Sequence, residues 1–414
     1  MGNKSLFRLM LYLMPATVDC ITGIFIFIGP VRATILGYDP LVAGSMVAAR
    51  ATACSLCSLI ASRILTRGNA TWLMFFGNIG LTGVCILGMA AVNLTMLYLT
   101  SFLVGVFQVI FFASFQLFMK DVDTDDSKPL PRVVGSYTLA WNIGMSLGPI
   151  LTGFLMRLGD TAGGAAKGSG WIYAYLAAAC LSLSLLGVMF WVVKKSRKTE
   201  KWRQAGITAP AARTETGEKP DLAWLGWTMA FLVIAGGGII RGVFPSVATR
   251  AGMLEWRTGS VMTVLALAAG LFAYGLSWGR KWMYSGPAML ILAVIGTGGA
   301  IHFVVPRLAG WEFTDSLGWF YLGAVLFGGY MGSAYLYSGF HSLAHPEKAG
   351  RNIALNEFFV AGGAILGPLA GGWLARSHGY HFSFILAAAL AIIVGVFQLY
   401  SHWRYGKCRP LRLG

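Results

Sequence analysis

Charge is scarce in this chain, and acid is scarcer than base. Of its 414 residues only 12% are charged, with 16 Asp and Glu against 32 Lys and Arg. A soluble domain carries about twice that charged fraction, which excludes a water-facing globular surface over most of the length. No Gly-x-x-x-x-Gly-Lys-Ser/Thr occurs, so the phosphate cradle of an ATP-driven pump is missing. No Ser/His/Asp set or metal cluster stands out either, and the expectation is a non-enzyme without cofactor or metal. The six cysteines fall mostly inside apolar stretches. Cys54-x-x-Cys57 has a redox or zinc spacing but no His or acidic neighbours, which points to small apolar packing. His378-x-x-His381 is expected to be a solvated loop pair.

What fills the chain is apolar: 56% hydrophobic residues and 54 glycines. Runs of about 20 apolar residues, enough to cross about 30 Å of hydrocarbon, recur from end to end. In lipid each backbone amide must be satisfied within its own segment, and at these lengths that means helices. The pattern predicts an all-α membrane protein with twelve transmembrane helices, near 7–32, 40–63, 71–92, 95–119, 133–157, 171–193, 222–248, 257–279, 284–305, 316–342, 352–375 and 380–403. Pro30 and Pro245 are expected to interrupt the last turns of the first and seventh spans. The first apolar run carries Pro15 and Asp19 and leads directly into the second, so a cleaved leader is not expected.

The net charge of +16 suggests nucleic acid until its distribution is read. With the amino terminus placed inside, 23 of the Lys and Arg fall on one side, eight of them between Lys194 and Lys219. Seven fall on the other: Arg32, Arg157, Lys167, Arg250, Arg257, Arg307 and Arg376. Short connections rich in Lys and Arg stay cytoplasmic, so both termini are expected there, in a plasma membrane such as a bacterial inner membrane. The basic excess is a topology signal. The expected partners are a lipid bilayer, a small-molecule substrate and a coupling proton, with no nucleic acid, in a monomer.

Two segments 219 residues apart carry one pattern: Gly144, Gly148, Pro149 and Gly153 recur as Gly363, Gly367, Pro368 and Gly372, with Gly371 beside the last. Arg132 and Arg157 recur as Arg351 and Arg376 at the same offset. Gly105 and Gly328 correspond at an offset of 223, the acidic loop from Asp121 to Asp126 absorbing the difference. These matches indicate a duplication: two six-helix pseudo-repeats in the same orientation. The expected domains are a first bundle over 1–193, a mobile cytoplasmic linker over 194–221, a second bundle over 222–403 and a cytoplasmic tail over 404–414. Transporters use such repeats to rock two halves around a midplane site.

From residue 6 to residue 403 the chain resembles the major facilitator superfamily. Gly363 to Gly372 is similar to that family's fifth-helix motif, often associated with exporters that exchange substrate for protons. Here the closer match lies on the eleventh span. The resemblance implies that these helices pack across the interface between halves. Physically, glycines four apart bare one helix face for close approach, and the proline kinks the helix beside it. The sequence departs from the family twice. Ala61 to Ala70 keeps Gly68 but lacks the aspartate of the cytoplasmic latch motif, and Ser101 stands where relatives place a membrane arginine four residues before Gly105.

Charges inside the spans are the site candidates, because an ionisable group at bilayer depth costs several kcal/mol unless paired or hydrated (roughly, with wide scatter). Asp19 lies halfway along the first span and Arg50 ten residues into the antiparallel second, so both fall near the midplane. An Asp19–Arg50 pair lining a central cavity is expected; a purely structural ion pair is the alternative. Arg241 follows Gly236-Gly237-Gly238, where the helix can bend and present a cation to an anionic substrate, or the arginine can snorkel to the surface. Glu357 joins Asp19 as a second proton-coupling carboxylate, or is an inner-leaflet gate or a carboxylate paired with a cytoplasmic arginine. Gln108, Asn142 and Tyr335 are expected to contact substrate, within a wider wall that includes Gln116, Trp141, Tyr330, Tyr337 and His341. Trp171, Trp224 and Trp319 are expected to be interfacial anchors.

These features predict a secondary transporter working by alternating access, moving a small organic solute outward in exchange for protons. Two alternatives remain from the sequence: a proton- or sodium-coupled importer of an organic anion, and a non-transporting membrane sensor or membrane-embedded enzyme.

Overall fold

The computed structural model describes residues 3–66, 68–122, 129–161, 169–204, 221–345 and 348–406. Most of the acidic loop after Val122, residues 205–220 of the linker and the tail from 407 lie outside them. The described chain is a succession of helices: α1 (Asn3–Ile35), α2 (Pro40–Ile64), α3 (Ala70–Met89), α4 (Leu94–Val122), α5 (Leu130–Thr161), α6 (Gly170–Gln204), α7 (Ala223–Arg250), α8 (Glu255–Leu276), α9 (Gly286–His302), a short α10 (Val305–Leu308), α11 (Leu317–Leu343), α12 (Ala349–Ser377) and α13 (Tyr380–Gly406). Ten of these are long and apolar enough to cross a membrane. The 17-residue α9 and the 27-residue α11, diluted by Gly, Ser and Tyr, bring the long helices to twelve among the described residues. An even number returns the chain to the face where it began. That face is called the terminal face below, and the opposite one the far face.

Two sequence expectations are corrected. α1 runs through Pro30 to Ile35, and α7 runs through Pro245 to Arg250. Proline removes one amide donor, but inside a bundle neighbouring groups make good the loss, so the helices continue. The linker also starts later than residue 194. α6 continues to Gln204 because Lys, Arg, Glu and Gln are good helix formers, and Lys195 sits 5.0 Å over the Trp191 ring.

The duplication is visible in the contacts themselves. Gly144 lies against the carbonyl of Ala16 and Gly148 against that of Cys20, joining α5 to α1. Gly363 lies against the carbonyl of Phe231 and Gly367 against that of Ala235, joining α12 to α7. A shift of 219 residues maps α5 onto α12, and a shift of 215 maps α1 onto α7. The same shifts relate the contacts between halves: Gly153 against Trp256 mirrors Gly372 against Leu41, and Gly259 against Pro149 mirrors Gly44 against Pro368. Each of these glycines brings helix backbones together at a distance that a side chain would prevent.

Each half has its own core, around Phe111, Phe115 and Tyr175 in the first and around Phe244, Phe303 and Phe320 in the second. Phe27 and Val31, from the far end of α1, are buried in the second half's core rather than their own. The halves are therefore sealed together at the far face.

Candidate functional site

Asp19 is buried at the middle of α1, with 4% of its surface exposed. Its Oδ1 accepts a hydrogen bond of 3.0 Å from Nε2 of Gln108 on α4. The carbonyl oxygen of the same amide accepts one of 2.8 Å from Nη1 of Arg50 on α2. The expected direct pair is thus a three-membered chain, Asp19–Gln108–Arg50, with the amide dipole aligned between anion and cation. Gln108, expected to contact substrate, instead joins the two charges. Cys54 completes the cluster: its thiol lies 3.4 Å from the Gly105 carbonyl and 3.8 Å from Arg50 Nη1.

The second half shows what the fold itself needs at these positions. The 215-residue shift carries Asp19 to Ile234 and Arg50 to Leu265; the contact of Gly105 with the Arg50 carbonyl is mirrored by that of Gly328 with the Leu265 carbonyl. The 223-residue shift carries Gln108 to Met331. The same architecture stands in the second half with Ile, Leu and Met where the first has Asp, Arg and Gln. The polar chain is not a requirement of the fold.

Arg241, in the far half of α7, lies within electrostatic range of Asp19. No hydrogen bond or ion pair holds its guanidinium among the described residues, and Nη2 is sealed from solvent without a partner. It borders a cavity of about 20 Å³ between the halves, walled by Gly23, Phe27, Met145, Pro149 and Met262. That is room for about one water. A second cavity of about 10 Å³ lies beside Arg50 and Ser101. Beside Arg241 and Arg50, then, these two cavities are far smaller than the open central chamber expected from sequence.

Toward the terminal face the site opens. Glu357 is exposed although protein mass surrounds it, and Tyr137, equally enclosed, keeps partial solvent access; this is how side chains lining a vestibule behave. Gln116, also exposed, donates 3.2 Å to the Tyr137 hydroxyl. Half-buried aromatic rings pair on the same helices and their neighbours: Trp141 of α5 meets Tyr335 of α11 edge-on at 4.9 Å, Trp227 of α7 stacks on Phe359 of α12 at 6.1 Å, and Phe231 meets Phe359 edge-on at 6.3 Å. Tyr335 was a sequence candidate. Tyr137, Trp227, Phe231 and Phe359 were not, because aromatics facing lipid and aromatics facing a cavity have the same periodicity.

Other candidates lie elsewhere. Asn142 is fully buried between α5 and α8, packed on Gly270, with Nδ2 donating to the Thr138 carbonyl and Oδ1 unpartnered. Tyr330, Tyr337 and His341 are buried in the second half's core. Trp171 is no interfacial anchor: it is 5% exposed and carries the buried Arg32 guanidinium 4.5 Å over its ring.

Polar clasps hold the far face closed. Thr34 donates to Ser246 at 2.7 Å, linking α1 to α7, and Arg250 donates to the Tyr38 carbonyl at 2.7 Å. Asp39, which caps α2, pairs with Arg376 of α12 at 3.5 Å. The glycine–proline segments lie under these clasps, with Pro368 seated on Gly44.

Two pseudo-symmetric six-helix halves, closed at one face around a buried charge chain, agree with the family profile described as Major Facilitator Superfamily, which matches residues 11–345. The chain belongs to the Major Facilitator Superfamily. It is a multi-pass membrane protein, and membership points to a transporter rather than an enzyme. Among solved structures, it is similar to a bacterial homolog of the human lysosomal transporter Spinster in an inward-facing, unoccupied conformation. That match has a TM-score of 0.71 and 12% identity and covers 100% of each chain. It is also similar to the nucleoside transporter NupG, with a TM-score of 0.62 and 12% identity over 96% of this chain and 100% of that one. At such identity the likeness is one of fold. No curated protein matches significantly in sequence.

Proposed function

We propose that this protein is a secondary active transporter that moves a small organic solute by alternating access, coupled to protons and working as an exporter from the cytoplasm. The observation that carries the reading is the Asp19–Gln108–Arg50 chain: an acid, an amide and a base at the midplane, in positions the second half fills with Ile234, Leu265 and Met331. Asp19 is the proton-accepting group, and Glu357 in the vestibule is a second one. The termini, with most of the basic residues, face the cytoplasm. The structure then represents the inward-open state, its vestibule lined by Trp141, Trp227, Phe231, Tyr335 and Phe359. Export follows from the glycine–proline motif, which resembles that of proton-exchanging exporters.

A second reading, uptake of an organic anion, is favoured by one observation: the half-buried Arg241 keeps its Nη2 sealed from solvent without a hydrogen-bond acceptor. A sealed guanidinium nitrogen without a hydrogen-bond acceptor is costly, and a substrate carboxylate or phosphate would satisfy it. A thermal-shift screen of organic solutes on the purified protein at acidic and neutral pH tests both, since a ligand stabilises the state it binds. The proposal expects a solute whose stabilisation changes with pH. Flux of that solute in right-side-out against inverted vesicles then assigns direction. A bound solute that moves no protons across proteoliposomes contradicts the coupling.

A further inference from the structure

The chemistry of an amide explains why glutamine, rather than a direct ion pair, stands between Asp19 and Arg50. One end of the group only donates and the other only accepts. Facing an ionised carboxylate and a guanidinium, it has one workable orientation, with nitrogen toward Asp19 and oxygen toward Arg50. The contacts of 3.0 and 2.8 Å have that polarity. A proton on Asp19 changes the terms. The carboxyl gains an O–H donor that needs an acceptor, and turning the Gln108 amide over puts its oxygen where Nε2 now meets Asp19. That oxygen already serves Arg50.

We propose that Gln108 is a relay that reads protonation of Asp19 out at Arg50: the new O–H takes the amide oxygen, and the guanidinium is released toward the vestibule to hold an anionic group of the solute. The inference rests on the proton coupling proposed above and, because the anion binds once the proton is on, deepens the second reading, in which proton and organic anion move together. Arg50 has little else to hold it. Its Nε is buried without a partner, and Nη1 has only the Cys54 sulfur at 3.8 Å besides Gln108. A weak sulfur acceptor does not replace an amide oxygen. The proton comes from water and returns to water, and no other bond is made or broken. Groups from each packed helix bear on the step: Arg50 and Cys54 from α2, Tyr137 from α5, Arg241 from α7 and Cys20 beside Asp19 on α1, with Glu357 of α12 in range of Cys54 and Tyr137. Protonation of Asp19 therefore adds one net positive charge to the site. The ligand class this selects is a carboxylate, phosphate or sulfonate.

The proton itself is the probe in the test. Infrared difference spectra of the reconstituted protein are recorded through a pH titration, with the carboxyl band assigned by its loss in Asp19→Asn and the guanidinium band by its loss in Arg50→Gln. In the unaltered protein the two bands are expected to change with one midpoint. In Gln108→Met, which keeps the volume without the amide, Asp19 still titrates and the Arg50 band no longer follows pH. Gln108→Asn, one methylene too short to span the two groups, gives the same separation should the Met variant not fold. An Arg50 band that follows Asp19 equally well in the Gln108 variants, or that is silent in the unaltered protein, overturns the relay while leaving proton coupling intact. An Asp19 that never titrates overturns both.

Discussion

Asp19 and Arg50 could be found from sequence because charge is rare in this chain, so an acid in the middle of one apolar run and a base in the middle of the next stand out. Their separation by Gln108 could not. A glutamine on a membrane helix reads alike whether it faces lipid headgroups, solute or another side chain, and only the close approach of α4 to α2 at Gly105 decides the matter. Asn142 shows the reverse error: mid-depth position suggested substrate contact, but Gly270 lets α8 pack directly over it. Arg241 was legible as a charge in an apolar helix; that its Nη2 lacks a hydrogen-bond acceptor was not. The residue-scale prediction concerns that arginine. Arg241→Gln should weaken binding of an anionic solute at least about tenfold, the worth of a hydrogen bond to a charged group, and leave a neutral analogue's binding unchanged. Equal losses for both, measured by thermal shift, would assign Arg241 a packing role instead.

Helices in this protein are positioned by what their glycines omit. The repeated glycine–proline segments were readable as close-packing faces, and the contacts place both copies in equivalent registers, α5 on α1 and α12 on α7. Gly144→Val puts branched carbons into the Ala16 backbone, where neither helix can yield cheaply. The expected loss is at least about 1–3 kcal/mol, seen as a lower melting temperature of the purified protein. Gly187→Ala, where a Cβ meets nothing within 4 Å, should leave melting unchanged or raise it. Equal effects of the two would contradict the packing argument. A second test belongs to the terminal-face end of α7. Partial burial raises the Asp221 carboxyl, but its bonds from Lys348 at 3.1 Å and from the Ala223 amide outweigh that and hold it below the usual carboxylate range. A carboxyl depressed in the folded state stabilises above its unfolded value, and that contribution is lost as pH falls through the folded value. Asp221→Asn should therefore melt slightly lower than the unaltered protein at neutral pH, by less than about 1 kcal/mol for so exposed a pair, and equally in acid. A difference that persists in acid would trace to something other than this ion pair.

Across the whole molecule, composition and charge distribution were enough to indicate a duplicated bundle of twelve long helices, because lipid permits little else at that hydrophobicity. They could not indicate which face is open. That depends on which of two packings of the same halves is lower in free energy, a difference of a few kcal/mol spread over contacts such as Thr34–Ser246 and Asp39–Arg376. If alternating access is driven by the proton on Asp19, its ionisation must bias that balance even without solute. The most direct measurement is the distance between spin labels placed at Leu36→Cys and Leu254→Cys, on the far-face ends of the two halves, followed by electron–electron double resonance across pH. The distance distribution is expected to shift between closed and open far-face populations with pH, and Asp19→Asn to hold it at the acid-pH distribution throughout. A distribution that ignores pH, or one that responds identically with Asn at position 19, would contradict the claim that this carboxylate drives the cycle.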